Sequence, residues 1–411
     1  MQMTDTVSAP STPAPQKFLV LFTAALTGFG PASIDMYLPS FLSISKDFGT
    51  PYENVQLTLS LFLVGFAVGQ LFVGPLSDRF GRRPVLIIGM ILFSIASLLC
   101  AFSTGITALI ALRFLQALGG CCGQVLGRAI LRDVYSGTSL AKVMSLMMLV
   151  MAAAPLVAPL VGSQVLKVGT WHDIFFLLVG LGLACLLAAI FYFRETHPQE
   201  KRTPLDIRAT LKGYKAIFSS RLAVGYLLTG SMAFAALFAY ISGAPGVFMG
   251  YYGLSPDVFA LVFAVNIAGF ATGSILNSRY VGRIGIDRVL AIVLAICTTG
   301  AVALCALVWT FYLGVVPFAV LLFISICAMH VIFANSIAGL LNNYPELAGT
   351  ASALFGAGQF GFGAIAGALV GQFYDGGPRS MVTAMLCAML ISFCAQKFLT
   401  RGAPRPHSTS A

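Results

Sequence analysis

Charge is what this chain has least of. Of its 411 residues only 9% are Asp, Glu, Lys or Arg, against about 25% in a typical water-soluble domain. Mean hydropathy is +0.91. That scarcity excludes a soluble fold. Apolar runs near 20 residues recur from Phe18 to Leu399, the length that crosses ~30 Å of hydrocarbon, and only helices satisfy their own backbone in lipid. Histidine is scarce too, at four residues, and none of the nine cysteines falls in a loop or at a paired spacing to histidine. This argues against a metal centre and against disulfides, and no cofactor is expected. The adjacent Cys121 and Cys122 point to different helix faces and read as small packing residues. No polar segment is long enough for a sensory domain. No His-Glu zinc motif or nucleophile pair stands in a span, so an enzyme is not expected.

What is present is a set of about twelve spans, separated by charged or Pro/Gly-rich breaks. They are expected at 18–41, 54–76, 84–103, 107–131, 140–166, 172–193, 222–247, 256–278, 288–308, 312–341, 348–372 and 380–399. With the N-terminus inside, 20 of the 24 Lys and Arg fall on the cytoplasmic side, as such loops require. The net charge of +10 is therefore a topology signal and not a nucleic-acid footprint. Residues 1–17 read as a disordered cytoplasmic tail with an uncleaved first span behind it, because the basic start of a signal peptide is missing. Residues 400–411 read as a second cytoplasmic tail.

The stretch 194–221 carries seven basic residues, Pro198 and Pro204, and reads as a cytoplasmic linker between six-span halves at 18–193 and 222–399. An internal repeat supports the division. At an offset of 204, Gly65, Phe66, Gly69, Arg79 and Gly81 match Gly269, Phe270, Gly273, Arg283 and Gly285. The fold expected is thus all-α, two six-helix bundles with a binding cavity where they meet.

Away from the span ends, two charges survive in the apolar stretches, Asp35 and Arg113. An ionised group at the bilayer centre costs at least ~2.5–3.5 kcal/mol, so such residues usually face a cavity and act there. At about 1.5 Å per residue, each lies roughly 9 Å below the outer end of its helix, which puts them level. They could form a structural ion pair, or engage protons and ligand in turn. Desolvation favours the neutral acid and a nearby guanidinium the carboxylate, a balance that lets Asp35 cycle as a proton carrier with Arg113 as its partner. His330 is the rival carrier. Asn266, Asn335 and Gln359 could supply polar contacts, with Phe234, Phe238 and Tyr240 as an aromatic wall; ordinary helix packing explains these residues equally well.

Several motifs resemble a known family. Gly74-Pro75-Leu76-Ser77-Asp78-Arg79-Phe80-Gly81-Arg82-Arg83-Pro84 is similar to the loop 2 to 3 signature of the major facilitator superfamily. Physically, Pro75 and Gly81 permit a tight turn, and Asp78 with Arg79, Arg82 and Arg83 can form a charged latch at the membrane surface. The arginines also anchor topology. The resemblance implies a latch that holds one conformation against the other half, and Gly282 replaces Asp78 in the repeat copy. Arg113-Phe114-Leu115-Gln116-Ala117-Leu118-Gly119-Gly120 resembles the fourth-helix motif of drug-proton antiporters, with Ala117 where Gly is common. Leu109, Arg113, Gln116 and Gly120 share one helix face and would line one wall of the cavity.

Arg128-Ala129-Ile130-Leu131-Arg132-Asp133-Val134-Tyr135 and Ile34-Asp35-Met36-Tyr37-Leu38-Pro39 resemble the bicyclomycin-resistance and chloramphenicol/florfenicol exporter subfamily, which places Tyr37 at the same cavity. Ala154-Pro155-Leu156-Val157-Ala158-Pro159-Leu160-Val161-Gly162 resembles the antiporter motif. Pro155, Pro159 and Gly162 read either as a hinge or as a kinked packing helix. The resemblance implies a proton-coupled exporter of small amphipathic drugs, a monomer in the bacterial inner membrane. A carrier of a small metabolite is the alternative.

Overall fold

The computed structural model describes residues 17–202 and 207–400, so the two tails lie outside the described residues except for their innermost positions. Among the described residues there are helices and no strands. Twelve helices are long and apolar enough to cross a membrane: Lys17–Asp47, Tyr52–Phe80, Arg82–Ala101, Ile106–Val134, Lys142–Val168, Trp171–Phe191, Arg221–Tyr251, Pro256–Ile284, Ile286–Thr310, Val315–Asn343, Pro345–Gln372 and Arg379–Thr400. They are numbered here as spans 1 to 12. Spans 2 and 8 end at Phe80 and Ile284 instead of 76 and 278, because hydropathy marks where lipid ends while backbone bonding continues into water. The linker carries a helix of its own, Ile207–Ser219.

One expectation about the loop 2 to 3 turn is corrected. Pro75 lies inside the helix of span 2, and the chain turns at Gly81 alone, whose φ of 98 is accessible only to a residue without a Cβ. The repeat copy does the same: Gly285 has φ 88 and likewise ends span 8.

Spans 1 to 6 pack mainly with one another, span 4 against spans 1, 2 and 3 and span 3 against span 6. Span 7 packs on spans 10, 11 and 12, and span 9 on spans 10 and 12. The halves meet where span 2 runs beside span 11 and span 5 beside span 8. Small residues make the first contact close. On span 11, Gly356, Gly367 and Gly371 leave room for Gln70, Ser60 and Gln56 of span 2, as helix interfaces in lipid favour. Cys121 seats against Gly69 of span 2 and Cys122 against Gly89 of span 3, which matches their reading as packing residues.

Far from the termini, the halves are tied by hydrogen bonds and an ion pair. Pro245 has no N–H, and span 7 ends in a π-helical turn, Gly246–Tyr251. The Gly246 N–H donates to Tyr52 Oη (2.8 Å), and Gln56 Nε2 of span 2 donates to the carbonyl of Ser242 (2.7 Å). The rings of Tyr52 and Tyr374 lie 5.0 Å apart. Lys167 pairs with Asp257 at 2.8 Å, joining spans 5 and 8. The bundle is thus closed on this face. Replacing Gln56 by Leu keeps the bulk and removes the shorter of two donors, leaving the Ser242 carbonyl only the 3.4 Å bond from Tyr52 Oη, at a cost of about 1 kcal/mol. Amide exchange across Gly246–Leu254 is expected to quicken in the variant; unaltered exchange would show that Gln56 does not hold this face shut.

Candidate functional site

The first span is where the site begins, and its backbone is broken twice. Pro31 and Pro39 lack N–H donors, and the helix is interrupted at Gly28 and again at Met36 and Tyr37, before a 3-10 turn at Leu38–Ser40. Tyr37 N–H turns back to Ile34 O instead of Ser33 O. The Ser33 carbonyl, stripped of its helical donor, accepts from Arg113 Nη2 of span 4 at 2.9 Å. Arg113 Nη1 donates to Gln116 Oε1 (2.5 Å), and Gln116 Nε2 donates to Ser97 Oγ of span 3 (2.7 Å).

The guanidinium is fully buried. Its carbon lies 4.2 Å from the ring centre of Phe62 and 4.6 Å from that of Tyr37, so aromatic faces replace much of the water it has lost. Tyr37 Oη shares a 3.0 Å hydrogen bond with Thr58 Oγ1.

Asp35 and Arg113 are level, as the depth argument expected, since Arg113 binds the backbone two residues from Asp35. They do not form an ion pair among the described residues. The Asp35 side chain is only 4% exposed, and no hydrogen bond holds it among the described residues. It lies within electrostatic reach of the Tyr240 hydroxyl on span 7. Tyr240 Oη accepts from Asn266 Nδ2 of span 8 (3.0 Å), and its ring stacks on Phe263. Asp35 of one half and Tyr240 of the other are thus near neighbours in the electrostatic sense, across the line where the halves meet.

The expected cavity wall on span 4 is corrected. Arg113, Gln116 and Gly120 do share a face, but it looks into the first half. Gly120 backs onto Phe93 and Phe66, and Tyr37 is also fully buried there. The aromatic wall is corrected as well. Phe234 and Phe238 share one face of span 7, whereas Tyr240, two residues on, looks toward span 8. Phe234 joins Phe360 of span 11 at 5.2 Å, and Phe360 joins Phe66 of span 2 at 5.0 Å, so this aromatic row crosses between the halves. His330 stacks beside Phe270 and edge-on to Phe333, just after a break in span 10 at Cys327 and Ala328. Asn335 donates to Asn277 within the second half.

The charged cluster closes on its own half and not on the other. Arg82, nearly buried, pairs with Asp78 at 2.5 Å and with Asp133 of span 4 at 2.9 Å. Glu195 accepts from the N–H groups of Arg82 and Arg83, capping span 3. Arg83 donates to the Ala189 and Ile190 carbonyls that end span 6. Every partner found for Arg82 and Arg83 among the described residues belongs to spans 1 to 6 or the residues just after them. Arg79 packs over Phe80, and Gly74 has open space around it. Glu195, over a hundred residues from Arg82, left no local pattern that could have predicted the contact.

Pro155 and Pro159 stay within one continuous helix, Gly137–Val168. Gly162 packs directly against the Met36 carbonyl at the span 1 break. The expected hinge is thus a point of close approach and shows no interruption. Lysine at position 113 could not reach Ser33 O and Gln116 Oε1 together, since it lacks the planar fork of arginine. Either acceptor left buried and unpaired costs about 1–3 kcal/mol. Arg113→Lys is expected to lower the melting temperature in detergent, and an unchanged value would mean that the guanidinium does not secure span 1.

Residues 20–368 match the family model described as Major Facilitator Superfamily. The chain is 36% identical over 381 residues to a protein of Haemophilus influenzae named bicyclomycin resistance protein homolog, covering 93% of this chain and 96% of that one. It is 39% identical over 358 residues to the MFS-type transporter YdgK of Bacillus subtilis, covering 86% and 88%. Identity to the multidrug resistance protein MdtL of Salmonella heidelberg is 30% over 249 residues, 61% and 62% of the two chains. The partially occluded inward-open xylose transporter XylE of E. coli superposes with a TM-score of 0.72 over 96% of this chain and 99% of that one, at 16% identity. A bacterial homologue of the lysosomal transporter Spinster, inward-facing, gives 0.71 over 96% and 100%, at 15% identity. Twelve spans in two six-helix bundles, the charged turn at Gly81 and these matches lead to one conclusion: the chain belongs to the major facilitator superfamily, as a multi-pass transporter of the bacterial inner membrane.

Proposed function

We propose that this transporter exports small amphipathic antibiotics in exchange for protons. One observation carries the reading: Asp35 is a buried mid-span carboxylate with no ion pair or hydrogen bond among the described residues, within electrostatic reach of Tyr240 of the other half. Because Tyr240 Oη already accepts from Asn266, its own proton is left to donate. An ionised Asp35 draws that hydroxyl toward it and so favours approach of the halves at this point. A proton on Asp35 removes the attraction. Substrate and proton thereby compete for a single interface, and alternating access couples entry of one to exit of the other.

Arg113 serves a different purpose in this scheme. It holds the span 1 backbone that orients Asp35, and it carries no proton. The termini are taken to be cytoplasmic, in line with the basic residues gathered on that face, so protons enter from the opposite side. A proton moving down 100 mV supplies about 2.3 kcal/mol, roughly a 50-fold substrate gradient before any pH difference. A monomer suffices, since one chain supplies both halves.

The substrate class rests on the names of the Haemophilus influenzae and MdtL relatives and on the aromatic row Phe66, Phe360, Phe234 and Phe238. Such a surface suits apolar compounds of the bicyclomycin, phenicol or sulfonamide type. A susceptibility panel in an exporter-deficient bacterium tests this, with protection against at least one such compound expected. Protection against none would remove the drug reading. In inverted vesicles, Asp35→Asn is expected to reduce acid-driven drug accumulation to that of vesicles without the protein, with the drug still able to bind. Undiminished accumulation would sink the coupling role. The other acids described in the helices, such as Glu53, Asp78, Asp133 and Asp257, stand near span ends, so a ratio near one proton per drug is expected; a ratio of two would require another carrier.

A further inference from the structure

The helix Ile207–Ser219 between the halves has three unlike sides. Its Gly213 backs onto Thr350 at the head of span 11, and Ile217 is fully buried. At 100° per residue these two mark the side that faces the protein. On the opposite side stand Arg208, Lys212 and Lys215, all exposed, and the segment contains no acidic residue. Leu211 and Phe218, seven residues apart and therefore aligned along the helix, lie between those sides and are 58% and 61% exposed.

Two large apolar side chains in line, flanked by three cations, are poorly suited to water. The helix leads directly into span 7 through Ser220 and touches the start of span 11, which sets it at the level of the bilayer surface. An apolar strip beside a basic strip, on a helix at that depth, fits the boundary between acyl chains and headgroups. The charge complement to three cations that have no ionic partner among the described residues is a phosphate-bearing headgroup with net negative charge.

We propose that this helix docks into the leaflet facing the termini and selects anionic phospholipid headgroups there. Leu211 and Phe218 enter the acyl boundary, and Arg208, Lys212 and Lys215 gather the headgroups. The selection is independent of what the protein transports.

The test uses the full chain in vesicles of phosphatidylcholine and phosphatidylglycerol in equal amounts. A trace of either lipid carries a photoreactive group close to the headgroup. After illumination, adducts on the peptide spanning 207–219 are quantified by mass spectrometry. Phosphatidylglycerol is expected to label this peptide several-fold more than phosphatidylcholine, and the excess is expected to vanish at high salt, as screening of headgroup charge requires. The variant R208Q/K212Q/K215Q is expected to bring the two yields together, and L211S/F218S to lower both. Equal yields in the unaltered protein would overturn the proposal, as would an excess that survives both high salt and loss of the three charges. The salt comparison on the unaltered protein keeps the test decisive if a variant misfolds.

Discussion

A carbonyl with no helical donor is the constraint on which the rest of this structure depends. In lipid, water cannot rescue an unpaired backbone group, so a break in helical bonding within a span creates a demand that another helix can meet. Span 1 makes that demand at Ser33, ahead of Pro39, and span 4 meets it with Arg113. Span 7 makes it at Ser242, ahead of Gly246, and span 2 meets it with Gln56. The first donor ties helices within one half. The second ties the halves together.

Arg113 and Asp35 are held in different ways. Arg113 is fixed by two hydrogen bonds and by aromatic faces, a setting in which the cation is retained and movement is restrained. Asp35 sits two residues from the carbonyl that Arg113 holds, yet its carboxylate has no hydrogen bond or ion pair among the described residues. The proposed exchange of protons asks for such a group, because one whose charge changes cannot be committed to a permanent partner.

Much of the architecture was legible in the sequence, for a physical reason. Span positions follow from hydrophobicity along the chain, which is local information. The repeat at offset 204 exposed the two halves, and Gly81 and Gly285 share a positive φ that only glycine adopts readily. Asp35 and Arg113 stood out because ionised groups are rare among apolar neighbours. What stayed hidden was direction. Helical spacing put Arg113, Gln116 and Gly120 on one face without saying which neighbours that face meets, and it proved to meet spans 1, 2 and 3. Contacts set by tertiary packing, such as Arg82 with Asp133 and Glu195, or Lys167 with Asp257, have no signature in local pattern. Likewise, Pro155 and Pro159 signal a lost hydrogen bond without revealing whether the helix gives way there.

The matched glycines at the ends of spans 2 and 8 also bear on how the halves compare. Gly81 sits among Asp78, Arg82 and Glu195, while Gly285, with the same backbone angles, has Gly282 where Asp78 stands in the first copy. The same bend therefore closes the matching hairpin in both halves, and Arg79 and Arg283 precede it in both. What differs is the acid at the third position before the turn, so the two halves are alike in form and unequal in the pairing their turns permit.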